Sequence, residues 1–242
     1  MEVYEKLQSA IEKADKICVF TGAGISCPSG IPDFRSSNGL YNQNGIDSYS
    51  PEQIISHTFF THHTKLFYKF YKEKMIYENA KPNLAHKYFA KLESKGKKVT
   101  VVTQNIDGLH QMAGSSNVFE LHGSVHRNYC TSCGEFYNLD YILNSDLPKC
   151  KKCGAIVKPD VVLYEESLDA ETINKSINAI CECDMMIVVG TSLTVYPAAS
   201  FVNYFTGDCL ALINKDETNI DTKADIVIND DIIKVIKILS KN

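Results

Sequence analysis

Ile17-Cys18-Val19-Phe20-Thr21-Gly22-Ala23-Gly24-Ile25-Ser26-Cys27 carries a short apolar run straight into a glycine-rich turn. A strand feeding such a turn opens a nucleotide-binding α/β unit, because glycine lets backbone N–H groups come close to a phosphate. The turn departs from the dehydrogenase pattern Gly-x-Gly-x-x-Gly: Cys27 stands where the third glycine belongs. No apolar strand ending in an acidic residue follows about 20 residues later to hold a ribose. Just beyond lies Pro28-Ser29-Gly30-Ile31-Pro32-Asp33-Phe34-Arg35, a loop with an aromatic and an arginine. Backbone N–H groups at a helix start can hold a pyrophosphate, and Arg35 can neutralise it.

Working outward, residues 2–15 place Val3, Leu7, Ala10, Ile11 and Ala14 at helical spacing. Strands are expected at Lys98–Thr103, Val118–Leu121, Met185–Gly190, Cys209–Ile213 and Ile226–Ile228, mostly as continuous apolar runs. Such runs suit strands of a parallel sheet buried on both faces. Helices are expected at 83–95, 168–180 and 231–240, between or after these strands. The pattern predicts an α/β fold, a Rossmann-like doubly wound parallel sheet with a smaller inserted lobe. Residues 1–35, 81–125 and 156–242 are assigned to the nucleotide-binding domain. The polar and aromatic stretch 36–80, with a helix at Thr61–Ile76, and the cysteine-bearing stretch 126–155 are assigned to the small domain.

Cys130-x2-Cys133 and Cys150-x2-Cys153 form two tight pairs among nine cysteines. Two knuckles at this spacing can deliver four thiolates to one tetrahedral Zn²⁺, and a site so filled is structural, with no open position for catalysis. Gly134 and Gly154 follow the second cysteine of each pair, where a knuckle turn often needs positive φ. Cys18, Cys181, Cys183 and Cys209 lie in or beside apolar runs and read as buried small hydrophobes.

The formal net charge of −4 argues against a basic nucleic-acid-binding domain, and the lysines near the cysteine pairs add little to that case. Apolar runs such as Met185–Gly190 are far shorter than the roughly 20 residues that span a bilayer. The acidic, amphipathic N-terminal stretch does not read as a signal peptide. A cytoplasmic monomer is the expectation.

Gly-Ala-Gly-Ile-Ser at 22–26 followed by Gly-Ile-Pro-Asp-Phe-Arg at 30–35 resembles the cofactor loop of the sirtuin family. Thr103-Gln104-Asn105-Ile106-Asp107-Gly108-Leu109-His110, Leu121-His122-Gly123-Ser124 and Gly190-Thr191-Ser192-Leu193 resemble three further signatures of that family, in its order and over nearly the whole chain. In character the chain looks closest to the bacterial class U sirtuins. The resemblance implies an NAD-dependent protein-lysine deacetylase with one structural Zn²⁺. NAD would be consumed as a cosubstrate, without hydride transfer, giving nicotinamide, O-acetyl-ADP-ribose and deacetylated protein. Proteins containing acetyl-lysine would be the partners.

The same resemblance assigns roles residue by residue. His122 would be the general base, working at a ribose hydroxyl, with Asn105 and Asp107 beside it. Asp107 and the backbone of Ile106 would hold the nicotinamide carboxamide. Gln104 and Asn105 would orient the ribose and a water. Gly22, Ala23, Gly24 and Cys27 would line the pyrophosphate or nicotinamide region, under Phe34 and Arg35. Gly190, Thr191 and Ser192 would touch phosphate or ribose, Asn214 the adenosine ribose, and Asp231 and Ile232 the adenine through backbone groups. His110 reads as structural or orienting; His57, His62, His63, His86 and His126 have no assigned chemistry. Cys27, where many relatives carry threonine or alanine, is either a tolerated small residue or an oxidation-sensitive one.

Pro159–Glu166 corresponds to the family's peptide-pairing strand, so Val161, Val162, Leu163 and Tyr164, with Val195 opposite, would bind substrate by strand addition. The chain reads Tyr164-Glu165-Glu166 where the family usually reads Phe-Gly-Glu, which removes a glycine and adds a negative charge near a lysine-rich substrate. Relatives that take acidic acyl groups carry a tyrosine and, three residues later, an arginine. Here Tyr68 is followed by Tyr71, which favours acetyl. Alternatives are a longer-chain deacylase, a mono-ADP-ribosyltransferase or NAD hydrolase on the same scaffold, a non-catalytic NAD sensor, and a zinc-ribbon nucleic-acid binder.

Overall fold

Alternate side chains of β1 (Lys16–Thr21) enter two different cores: Ile17 and Val19 pack in one, Cys18 and Phe20 in the other. That two-sided burial is why the run is apolar throughout. The computed structural model describes residues 1–34, 36, 39–42, 45–46 and 48–241. Its strands continue with β2 (Lys98–Thr103), β3 (Val118–Glu120), β4 (Gly123–Cys130), β5 (Phe136–Tyr137), β6 (Val157–Val161), β7 (Met185–Val189), β8 (Cys209–Asn214) and β9 (Ile226–Asn229). Six of them form one sheet in the order β3-β2-β1-β7-β8-β9, with every pair parallel. The expected doubly wound sheet is therefore present.

Helices Glu2–Lys13, Leu84–Ser94 and Ile232–Leu239 cover one face, burying Leu7, Phe89 and Val235 against Val19, Val101 and Ile187. Helix Ala170–Glu182 and the 3-10 segment Ala198–Tyr204 cover the other, with Ile180, Phe201 and Val202 against Phe20, Met186 and Val188. Three of these helices start on side-chain caps that satisfy free N–H groups: Asn83, Asp169 and Asp231.

A second, antiparallel sheet has the order β5-β4-β6. It shares a core with the helical stretch Pro51–Lys74, in which Phe60, Phe67, Tyr68 and Tyr71 pack with Val125, Val157 and Leu163. The helix expected at Thr61–Ile76 is two helices, His57–His62 and Thr64–Lys74, broken at His63 with φ −131° and ψ 41°. The break lets Phe59 and Phe60 on the first helix and Phe67, Tyr68, Phe70 and Tyr71 on the second all turn into one core. Strands β4 and β5 were not expected, because Gly-Ser-Val-His-Arg-Asn-Tyr-Cys has no clean alternation of polar and apolar residues. Among the four cysteines expected as core hydrophobes, Cys18 and Cys183 are buried and Cys209 is half-buried, but Cys181 is exposed, on the outer side of its helix.

Candidate active site

The sheet order reverses between β1 and β7, so the loops that leave their C-terminal ends meet in a crevice. Gly22 N–H donates to Val189 O at 3.1 Å and Gly24 N–H to Gly190 O at 2.8 Å. A Cβ on Gly24 would lie 2.8 Å from the Gly190 carbonyl oxygen, and one on Gly190, at φ 59°, would lie 2.4 Å from Ile25 N. Both glycines are thus dictated by the contact between the two loops. Asn83 holds the far side of the β1 loop, its Nδ2 donating to Ile25 O at 2.8 Å and to Ser29 Oγ at 2.9 Å.

A cavity of about 1040 Å³ opens over this crevice. Gly22, Ala23, Gly24, Cys27 and Phe34 line it from the β1 loop, and Gln104, Asn105, Ile106 and Asp107 from the loop after β2. Gly190, Thr191 and Ser192 line it from β7, Asn214 from β8, and Asp231 and Ile232 from the last helix. His122, Val161, Val162, Leu163, Tyr164 and Val195 line the same cavity. Arg35 lies outside the described residues. Every other residue singled out for NAD or peptide is thus on one surface.

Ser26, which the sequence reading passed over, ties the polar centre together. Its Oγ donates to Asp107 Oδ2 at 2.7 Å and accepts from Asn105 Nδ2 at 3.1 Å. Asn105 Nδ2 also donates to Gly22 O at 3.1 Å, and Asp107 Oδ1 accepts from Leu109 N–H at 2.9 Å. Burial pushes the Asp107 carboxyl up, opposed by the hydrogen bonds from Leu109 and Ser26. Gln104 Nε2 donates to Thr191 Oγ1 at 3.1 Å, joining the β2 and β7 loops.

His122 sits between β3 and β4 with Nδ1 2.9 Å from Gln104 O. A carbonyl only accepts, so Nδ1 carries the proton and Nε2 is the basic nitrogen. Burial lowers the His122 pKa, and the Gln104 hydrogen bond works against that shift. His110 is fully enclosed behind the site, with Nε2 3.1 Å from Thr21 Oγ1, which in turn donates to Thr103 Oγ1 at 2.8 Å. Thr103 Oγ1 accepts the Asn105 N–H at 3.0 Å, so His110 orients rather than touches the cavity. Its ring stands 4.8 Å from that of His86, also buried.

Several expectations need adjusting. Tyr68 and Tyr71 are fully buried in the small core, and Tyr68 donates to Val157 O; neither lines the cavity, which this helix reaches only through Lys74 at its end. The Asp231 side chain is committed as a helix cap, accepting from Ile233 N–H at 2.9 Å. Asn214 Nδ2 donates to Asp216 O at 2.8 Å, which fixes its amide in the cavity wall. The Cys27 thiol is pushed up by partial burial and the Asp33 charge, which disfavours the reactive thiolate. Glu165 lines the cavity, and its carboxylate accepts from Thr58 N–H and Oγ1. Tyr164 meets Tyr41, its hydroxyl 2.5 Å away, and Tyr41 packs on Phe34 with ring centroids 5.4 Å apart.

The ligand atoms of Cys130, Cys133, Cys150 and Cys153 all lie within 4.8 Å of one another. The sulfur pairs Cys130–Cys153, Cys133–Cys150 and Cys133–Cys153 are 3.4, 3.5 and 3.6 Å apart. Zn–S bonds of 2.3 Å in a tetrahedron give sulfur edges of about 3.8 Å, so the four thiols fit one Zn²⁺. Backbone N–H groups of Cys133 and Lys152, and the Tyr137 hydroxyl, point at Cys130 or Cys150 sulfur at 3.3 to 3.4 Å, as second partners of thiolates do. Gly134 and Gly154 have φ 71° and 76°, as the knuckle turns require.

Fold and crevice together define a nucleotide-binding α/β protein with a four-cysteine structural zinc site and the His122 imidazole in the wall of the crevice. The Sir2 family profile matches residues 22–197. An NAD-dependent protein deacetylase of Clostridium acetobutylicum is 55% identical over 98% of this chain and 98% of its own length. One of Clostridium perfringens is 58% identical over 96% of each. A Sir2 structure with a deacetylated p53 peptide and 3′-O-acetyl ADP-ribose superposes with TM-score 0.89 and 37% identity, over 98% of this chain and 97% of that one. A Sir2 complex with p53 peptide and NAD+ gives TM-score 0.85 at 37% identity, over 98% and 97%. The chain belongs to the Sir2 family, the sirtuins.

Proposed function

We propose that this chain is an NAD-dependent protein-lysine deacetylase, with His122 as general base and proteins containing acetyl-lysine as substrates. NAD, when bound, supplies the ribose carbon that accepts the acyl oxygen, and leaves as nicotinamide and an acylated ADP-ribose. The chain's own contribution is to hold the reacting groups and to move one proton. Asn105 and Asp107, pinned by Ser26, orient the ribose and the carboxamide. The β1 and β7 loops hold phosphate and ribose through Ala23, Gly24, Thr191 and Ser192. His122 takes a proton from a ribose hydroxyl at Nε2, because Nδ1 is committed to Gln104 O. The observation that carries the reading is that committed imidazole, its pKa lowered by burial, in the wall of the cavity the two loops form.

Val161 and Val162 form the edge to which the peptide adds as a strand, facing Val195, with Leu163 contributing its side chain because its N–H and carbonyl are held by the Glu166 carboxylate and N–H. Tyr164 contributes its ring, since its backbone N–H and carbonyl are already taken by Ile55 O and His57 N–H, each at 3.0 Å. The division into 1–35, 81–125 and 156–242 against 36–80 and 126–155 would put NAD on one side and the zinc support on the other, with β6 (Val157–Val161) and the start of β4 crossing it, since both pair in the small sheet. A cytoplasmic monomer acting on proteins, with no nucleic-acid partner, completes the reading.

Mass spectrometry of purified protein with NAD and an acetyl-lysine peptide tests it. Nicotinamide, deacetylated peptide and O-acetyl-ADP-ribose are expected together, and His122→Ala is expected to lower their rate by roughly 10²- to 10⁴-fold. Nicotinamide without deacetylated peptide would mean a hydrolase or ADP-ribosyltransferase instead.

A further inference from the structure

Glu165 holds φ 74°, one of two positive values at residues other than glycine among the described residues. An L side chain crowds its own backbone there, so the conformation persists only where its surroundings hold it. The hold is visible. One carboxylate oxygen accepts from Thr58 N–H at 2.9 Å and from Thr58 Oγ1 at 2.7 Å. Thr58 lies in the first turn of helix His57–His62, where N–H groups lack helical partners and favour a negative charge. The same contacts hold the Glu165 carboxyl below its ordinary range.

Neighbouring bonds extend the clamp. Tyr164 N–H donates to Ile55 O, and His57 N–H donates to Tyr164 O. The Glu166 carboxylate accepts from Leu163 N–H at 2.9 Å and from Lys158 Nζ at 2.9 Å, and its other oxygen meets His57 Nδ1 at 2.8 Å. The turn after Leu163 is therefore a fixed end to the cavity-lining segment Val161–Leu163, fastened to the helical module by side chains rather than by a glycine's freedom.

We propose that Glu165 is a positioning residue for the acyl-lysine peptide: through Thr58 it locks the turn at φ 74°, and so fixes the strand edge with which the peptide pairs. The proposal rests on the deacetylase reading above. Steady-state kinetics with peptide and NAD varied independently test it on Glu165→Ala, Glu165→Gln, Glu165→Gly and Thr58→Val, with melting temperatures recorded for each. Fluorescence anisotropy of a labelled acetyl-lysine peptide reads binding without turnover. Glu165→Ala is expected to raise the peptide KM and the anisotropy Kd about tenfold, with kcat and the NAD KM moving less than about twofold. Glu165→Gln, which keeps an acceptor, recovers most of the loss, and Glu165→Gly loses less than Glu165→Ala because glycine adopts the turn unaided. Thr58→Val weakens peptide binding in the unaltered protein but adds nothing on top of Glu165→Ala. An unmoved peptide KM in folded Glu165→Ala, an equal rise in the NAD KM, or a fully additive Thr58→Val effect would overturn the proposal. If the unaltered protein turns over no acetyl peptide, the deacetylase reading fails by that result, and the anisotropy series still decides the role of Glu165.

Discussion

Burial pulls the His122 imidazole below its ordinary pKa of 6.5 more strongly than the Gln104 carbonyl raises it. The proposed base must be neutral to take a proton, so the acid limb of kcat/KM is expected below pH 6.5, and a pH profile on acetyl peptide reads it directly. His86 makes the same point about stability. Its ring lies in the core with neither nitrogen hydrogen-bonded, and burial lowers its pKa from 6.5 to about 4. Over that interval the unfolded chain binds the proton and the folded chain does not. The contribution is therefore complete above pH 6.5 and is lost as pH falls toward about 4. By pH 5 the loss amounts to about 2 kcal/mol. His110 shifts in the same direction, from burial and from His86 beside it. Melting temperatures at pH 7 and pH 5 are expected to fall less far apart in His86→Phe than in the unaltered protein.

Among the elements, β4 shows how little a strand's own residues need to say when something else holds it. Its ends are a glycine whose Cβ would meet Asp160 O at 1.8 Å and a cysteine of the zinc set. Between them, β5 and β6 pair with its two ends, and across the irregular stretch from Ser124 to Asn128 the Val125 N–H donates to Ile106 O and the His126 N–H to Ser124 Oγ. The two knuckles replace the apolar area that this small sheet lacks. One zinc per chain is expected by elemental analysis. Cys150→Ser, or prolonged chelation, is expected to melt the small sheet and end deacetylation. Far-UV circular dichroism should show that loss while the parallel sheet's signal persists. Within the helical stretch 51–74, the sequence indicated a helix only at Thr61–Ile76, and the short helices Pro51–Ile54 and His57–His62 lie outside or across that expectation. The break at His63 was not legible, because the spacing of Phe59, Phe60, Phe67 and Tyr68 is set by a shared core and not by one continuous helix.

Across the whole molecule, Arg127 joins the two sheets. Its Nε donates to Asp160 Oδ2 on β6 at 2.7 Å, and its Nη1 to Glu120 Oε2 on β3 at 2.5 Å. The Glu120 side chain is only 6% exposed, so removing the arginine strands a buried carboxylate. Arg127→Ala is expected to cost about 3 kcal/mol for that reason. Arg127→Met combined with Glu120→Gln should recover much of it, because neither partner is then left charged and alone. Denaturant unfolding of the three variants beside the unaltered protein checks the comparison.

The parallel sheet, its two faces and its crevice were readable from the chain, because a strand buried on both sides must be apolar at every position and a tight approach of two loops must use glycine. Gly24 and Gly190 are such positions, and the four cysteines announce their metal by spacing alone. What only the tertiary structure decided depends on partners far apart in sequence. Ser26 takes its place because Asp107 and Asn105 converge on it, and Tyr68 and Tyr71 turn away from the cavity because the small core claims their rings. Glu165 departs from glycine yet keeps the turn, because Thr58, 107 residues earlier, offers the hydrogen bonds that hold it. Residue type and local spacing record backbone geometry and burial. Which distant group satisfies a given carboxylate or hydroxyl is set only when the chain has packed.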